Sequence, residues 1–150
     1  MLVLLLTACT VFQPIDGSWL VQLERESVAK GDCASDSGGG DGVYTGVVST
    51  WFDGYTIAGN QVAISAEGAL LVGTLTGTAL EVSQESGFHQ GSYSEASTIS
   101  LVATLSGDTM EGEIVGDTTT KSDGDTYNCT NTTGFTAARS SSDPNTFATH

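Results

Sequence analysis

The stretch Ser97-Thr98-Ile99-Ser100-Leu101-Val102-Ala103-Thr104-Leu105-Ser106-Gly107-Asp108-Thr109-Met110-Glu111 decides the fold. Ile99, Leu101, Ala103 and Leu105 take every second place, with Thr98, Ser100, Val102 and Thr104 between them. A period of two sends alternate side chains to opposite faces, so the segment reads as a half-buried β-strand. Gly107-Asp108 then signals a turn. The returning run 109–115 sets Met110 and Ile114 against Glu111 and Glu113. The same unit occurs earlier. Leu75-Thr76-Gly77-Thr78-Ala79-Leu80-Glu81 and Leu105-Ser106-Gly107-Asp108-Thr109-Met110-Glu111 both read Leu-hydroxyl-Gly-x-x-Leu/Met-Glu. One hairpin type is used twice: Gly takes the positive-φ turn position, and apolar residues face each other across it. Two copies make no solenoid, and they point to an up-and-down meander.

Outward from this core, short alternating runs fill the chain. Residues 18–25 place Trp19, Val21 and Leu23 on one face. Residues 43–52 form a run expected to bend at Gly46, and Asp53-Gly54 reads as a turn. Residues 55–58 extend a hairpin partner or belong to a loop. Runs 61–66, 69–76 and 79–85 follow, with turns at Glu67-Gly68 and Gly77, and the last run is 132–139. No stretch sustains a period of 3.6 over three turns. About eight antiparallel strands in one domain, 17–139, make a meander barrel, with a β-sandwich as the alternative. Residues 140–150 are polar and expected to be disordered.

The N-terminus is an apolar run, Met1 to Leu6, followed by Thr7-Ala8-Cys9. Leu6-Thr7-Ala8-Cys9 resembles the bacterial lipoprotein signal (lipobox), a branched apolar residue and two small ones before Cys. The resemblance implies a signal peptide over 1–8, cleavage before Cys9, and fatty acylation (palmitate and similar chains) of Cys9, followed by a tether over 9–16. Each buried CH₂ contributes about 0.8 kcal/mol, so two or more chains anchor a domain to a bilayer. A secretory signal starts with a basic residue and carries ~7–15 apolar residues. Here the first basic residue is Arg25 and the run is short, so the expectation is a signal that is incomplete at its start. The other reading of the segment is an apolar strand carrying a core Cys. Of the 3 cysteines, the lipobox reading takes Cys9 and leaves Cys33 and Cys129 as a disulfide pair. A reducing compartment would leave both as thiols.

Gly17-Ser18-Trp19 opens the first strand and Arg139 closes the last. This resembles the calycin superfamily, the lipocalin-like barrels, whose G-x-W motif puts Trp under a basic residue from the final strand. The other reading makes Arg139 a solvated charge. Register supports closure: in an antiparallel pair the numbers of facing residues add to a constant, and Trp19 with Arg139 and Cys33 with Cys129 agree within one loop's slack. Pairing the first strand with the last brings both couples together, one at each end.

Charge narrows the function. Lys and Arg number 4 against 18 Asp and Glu, a formal net charge of -14. Nucleic-acid binding needs clustered cations, as does attachment to anionic lipid, and neither is expected. With 39% hydrophobic residues and 19 Gly, the chain has the material for a core. No G-x-S-x-G or H-E-x-x-H occurs, and His89 falls in a polar stretch read as a loop, so no enzyme is expected. Asp32, Asp36 and Asp41 surround Cys33, and Asp117, Asp123 and Asp125 precede Cys129. Read as two long loops joined by the disulfide, they would crowd one barrel end, away from the tether. Crowded carboxylates repel unless a cation or salt relieves them. Ca²⁺ takes ~6–8 oxygen ligands, so Asp36, Asp41, Asp123 and Asp125 are candidate ligands, the alternative being solvated acidic loops.

The expectation is a lipid-anchored protein of the cell envelope, periplasmic or surface-exposed, bound to the bilayer through Cys9. Its barrel would hold a small apolar ligand without catalysis. The alternative is a structural or interaction lipoprotein with a filled barrel and an acidic loop end.

Overall fold

The structure, a computed structural model, describes residues 15–24, 26–33, 42–45 and 49–141. Cys9, Asp36 and Asp41 lie outside these residues. Among the described residues ten strands form one antiparallel sheet: β1 Gly17–Leu23, β2 Glu26–Gly31, β3 Gly42–Thr45, β4 Ser49–Ala58, β5 Gln61–Ala66, β6 Ala69–Thr76, β7 Ala79–Gln90, β8 Tyr93–Ser106, β9 Thr109–Ser122 and β10 Asp125–Ser141. Strands β1 and β4 through β10 follow in order, and β1 also pairs with β10, so these eight close into a ring. Closure satisfies edge N–H and C=O groups that an open sheet would expose.

The meander runs through tight turns. From β4 to β10 every hairpin has a two-residue loop, as the pairs Ala58 with Gln61, Ala66 with Ala69, Thr76 with Ala79, Gln90 with Tyr93, Ser106 with Thr109 and Ser122 with Asp125 show. Such loops need positive φ, and their residues supply it: Gly59, Gly77, Gly91 and Gly107 at the first place, and Glu67-Gly68 and Asp123-Gly124 at both. The repeated unit behaves as read. Leu75 faces Leu80, Leu105 faces Met110, and all four are buried. The two hairpins are bonded together by Leu105 N donating to Thr78 O at 2.8 Å.

Strands β1 and β10 meet in the expected register: Trp19 faces Arg139, Val21 faces Ala137 and Leu23 faces Phe135. After Leu23 the chain shifts register and continues along β10 as β2, with Val28 facing Thr132 and Gly31 facing Cys129. Cys33, just past β2, is bonded to Cys129, with Cα atoms 4.6 Å apart. The staple therefore ties the end of β2 to β10 rather than joining β1 itself.

Several sequence expectations are corrected. The run 43–52 is two strands, β3 and β4, and residues 46–48 lie outside those described. Asp53-Gly54 is no turn. Both residues sit inside β4, Asp53 opposite Ser65 and Gly54 opposite Ile64. Gly54 is there for space: a Cβ would stand 2.2 Å from the carbonyl oxygen of Ile15. Asp53 accepts a hydrogen bond from the Ser18 hydroxyl. Ile15 and Asp16, placed in the tether, belong to the domain: Ile15 is fully buried, and Asp16 Oδ1 accepts from Thr56 N at 2.6 Å and Thr56 Oγ1 at 2.7 Å. Strand β2, whose Glu-Ser-Val-Ala-Lys-Gly lacks alternation, was not expected. Strands β7 to β10 outrun their apolar stretches, so His89 lies in a strand opposite Ser94, and Asp117 and Asp125 lie in β9 and β10 rather than in a loop. These extensions are Ser/Thr-rich: the pattern fades once the strands leave the core, yet the ladder hydrogen bonds continue. Strand β10 also runs past Arg139 to Ser141.

The staple closes a span of 96 residues. Constraining so long a loop in the unfolded chain stabilises by about 3–5 kcal/mol in the chain-entropy model. A Cys33→Ser/Cys129→Ser double variant is expected to lose that amount in urea unfolding. A loss under about 1 kcal/mol would show that ring closure alone suffices.

Candidate ligand-binding site

The barrel has two unlike ends. Turns Gly59-Asn60, Gly77-Thr78 and Gly107-Asp108 lie with the start of β1 and the finish of β10. There Trp19 is fully buried and its ring stacks on Phe52 with centroids 6.1 Å apart. Its Nε1 donates to Ile15 O at 3.0 Å, so the one polar atom of the indole is satisfied by the plugging segment. Arg139 caps the indole. Its Cζ stands 4.6 Å from the ring centroid, a guanidinium nitrogen donates to Asp16 O, and Nε lies 3.0 Å from Asp108 Oδ1. Arg139 is thus no solvated charge; it joins β10, the plug and the β8–β9 turn.

The other end is open. A cavity of about 370 Å³ enters the barrel there. Val21, Leu23 and Phe52 line one side, Ile64, Ala66, Ala69 and Leu71 a second, and Ile99, Leu101 and Ile114 the third. Thr50 and Glu67 supply polar groups at its edge, joined by a 2.7 Å hydrogen bond from Thr50 Oγ1 to Glu67 Oε1. The size falls in the ~300–1,000 Å³ range of small-molecule sites, and the make-up, apolar walls with few polar groups, is theirs too. The cavity has a physical origin. The bulky inward residues Ile15 and Trp19 sit at the closed end, whereas Ala66 and Ala69 face the interior near the mouth. A larger depression, about 550 Å³, lies outside the barrel over Leu20, Gln22, Thr136 and Ala138, on the solvent face of β1 and β10.

Beyond the mouth the long strands continue as a sheet, and their inward face extends the apolar path. Ile99, Phe88 and Tyr127 are exposed there. One cross-strand row reads Phe88, Glu95, Thr120, Tyr127. Phe88 also meets Tyr93, ring centroids 6.2 Å apart. Tyr93 Oη donates to Glu95 Oε2 at 2.8 Å, and this bond to a carboxylate holds the phenol's pKa above its ordinary value.

Of the candidate metal ligands, Asp36 and Asp41 lie outside the described residues. Asp123 and Asp125 flank the tip of the β9–β10 hairpin, and Asp123 Oδ1 accepts from Ser92 Oγ of the neighbouring turn at 2.9 Å. Asp32 instead sits by the disulfide, accepting from Asn128 N at 3.0 Å, and Asp117 accepts from Thr130 Oγ1 at 2.5 Å. Cys129 lies four residues, about 13 Å of extended strand, from Asp125. Among the described residues no three His, Cys, Asp or Glu side chains converge to hold an ion.

Sequence reasoning found both ends of the closed cap but not the cavity. In the sequence Glu67 reads only as a turn residue, and nothing local sets the facing of Trp51 and Phe52. Phe52 points in opposite Trp19 and Trp51 points out opposite Leu20. The register of β1 with β4 settles it, and no local pattern does.

Arg139→Ala is expected to destabilise the domain by about 2–4 kcal/mol, through the lost charge-assisted bonds and the uncovered indole. Arg139→Lys should recover less than half, since an ammonium cannot stack and fork at once. Equal stability of Arg139→Lys and the parent would count against the stacked geometry.

Comparison with protein-family models, curated proteins and solved structures finds no match to this chain.

Proposed function

We propose that this chain is an envelope lipoprotein, anchored through Cys9, whose barrel binds a small apolar ligand without catalysing its conversion. The observation that carries the binding reading is the open, apolar cavity of about 370 Å³ opposite the Trp19–Arg139 cap. A barrel meant only as a scaffold gains by filling its interior, because each void forfeits packing contacts. Keeping small Ala66 and Ala69 at the mouth leaves room instead. The anchoring reading rests on Leu6-Thr7-Ala8-Cys9, and the Cys33–Cys129 bond agrees with an oxidising compartment.

Two measurements test these readings. Titration with Nile red, an uncharged apolar dye, should give saturable fluorescence enhancement. Ala69→Phe, which fills the mouth, should weaken it about tenfold or more with the circular dichroism spectrum kept. Absence of saturable binding by the parent protein would remove the ligand reading and favour the filled-scaffold alternative. In a bacterial host, intact mass should carry acyl groups on Cys9, and Cys9→Ser should move the protein from the membrane to the soluble fraction. An unmodified Cys9 with Met1 retained would overturn the anchoring.

A further inference from the structure

The charge distribution around the cavity says which apolar ligands it admits. The described cations are all turned away from it. Lys30 faces Thr130 on the outer side of the sheet. Lys121 faces Ser94 and Thr126, the side opposite Glu95. Arg139 is engaged at the closed end with Trp19, Asp16 and Asp108. The fourth cation of the chain, Arg25, lies outside the described residues, between Glu24 and Glu26 in the sequence. On the inward path the charges are acidic. Glu67 lines the cavity itself. Glu95 lies four residues along β8 from the lining residue Ile99, about 13 Å further out, in a row with Phe88 and Tyr127. Asp125 occupies the same face nearer the tip, in register with Ser122.

A carboxylate-headed amphiphile entering this mouth would bring like charge towards Glu67 and Glu95 with no described cation to receive it, inside a protein of net charge -14. An ammonium head meets the opposite situation: carboxylates at two depths, and aromatic faces beside the outer one, where cations are held by ring quadrupoles. We infer that the site selects apolar molecules bearing a cationic amine or ammonium head, and rejects carboxylates of the same chain length. The inference rests on the cavity-binding reading above and adds to it the head-group chemistry.

The test compares three probes of one chain length on the full chain: decylamine, decanol and decanoate, titrated calorimetrically at neutral pH and low salt. Decylamine is expected to bind about tenfold or more tighter than decanoate, with decanol between them, and 0.5 M NaCl should compress the gap. Glu67→Gln/Glu95→Gln, at solvent-accessible positions, should narrow the amine-to-carboxylate ratio at least threefold. Decanoate binding as tightly as decylamine would overturn the inference, as would a ratio indifferent to the double substitution. In both cases decanol binding would leave the cavity reading standing. If none of the three binds, the cavity reading itself falls, and the selectivity with it.

Discussion

Everything in this fold hangs on the meeting of β1 with β10. Strands β4 to β10 are joined by two-residue turns and would pair locally in any case. The first strand must find the last across nearly the whole chain, and that long closure is entropically slow and costly. Several independent contacts hold the meeting. Trp19 faces Arg139 in the ladder, the guanidinium covers the indole, and Asp16 and Asp108 receive the guanidinium from two other segments. At the far end of β10 the disulfide holds β2 to the same strand. One strand, Asp125–Ser141, is therefore held by β1 towards its finish and by β2 and the disulfide towards its start.

That grip also sets the shape of the interior. Trp19, Phe52 and Ile15 gather their bulk beneath the Arg139 cap. The interior narrows there and widens towards Ala66 and Ala69. Strands β7 to β10 continue past the rim, while β5 and β6 stop at Ala66 and start at Ala69. The mouth is thus a step between short and long strands. Apolar residues emerge onto the exposed inner face at Ile99, Phe88 and Tyr127. Exposed apolar groups contiguous with a cavity are the usual signature of a recognition surface.

Charge follows the same polarity. The turn Asp123-Gly124 lies at the open end, and the start of β1, with Arg139 over Trp19, at the closed end.

The sequence by itself determined the class of fold, the register of closure and both partners of the cap. Alternation needs only local sterics; the couple Trp19 with Arg139 is what the G-x-W resemblance implies, and the additivity of facing residue numbers agrees with it. The disulfide partners were legible once Cys9 was set aside. Tertiary structure alone decided the rest. Asp53-Gly54 carries turn chemistry yet lies in a strand, because Ile15 packs against Gly54 and leaves no room for a side chain. The Ser/Thr-rich ends of β7 to β10 have no apolar alternation, since they bury no core and are held by ladder bonds to their neighbours. Of the acidic residues grouped around the two cysteines, Asp117 lies within β9, away from Asp123 and Asp125 at the hairpin tip, because extended strands space residues at over 3 Å each. The cavity could be read from no segment. It is the volume left when strands of unequal length close around bulky residues at one end and alanines at the other, and volume belongs to the closed ring as a whole.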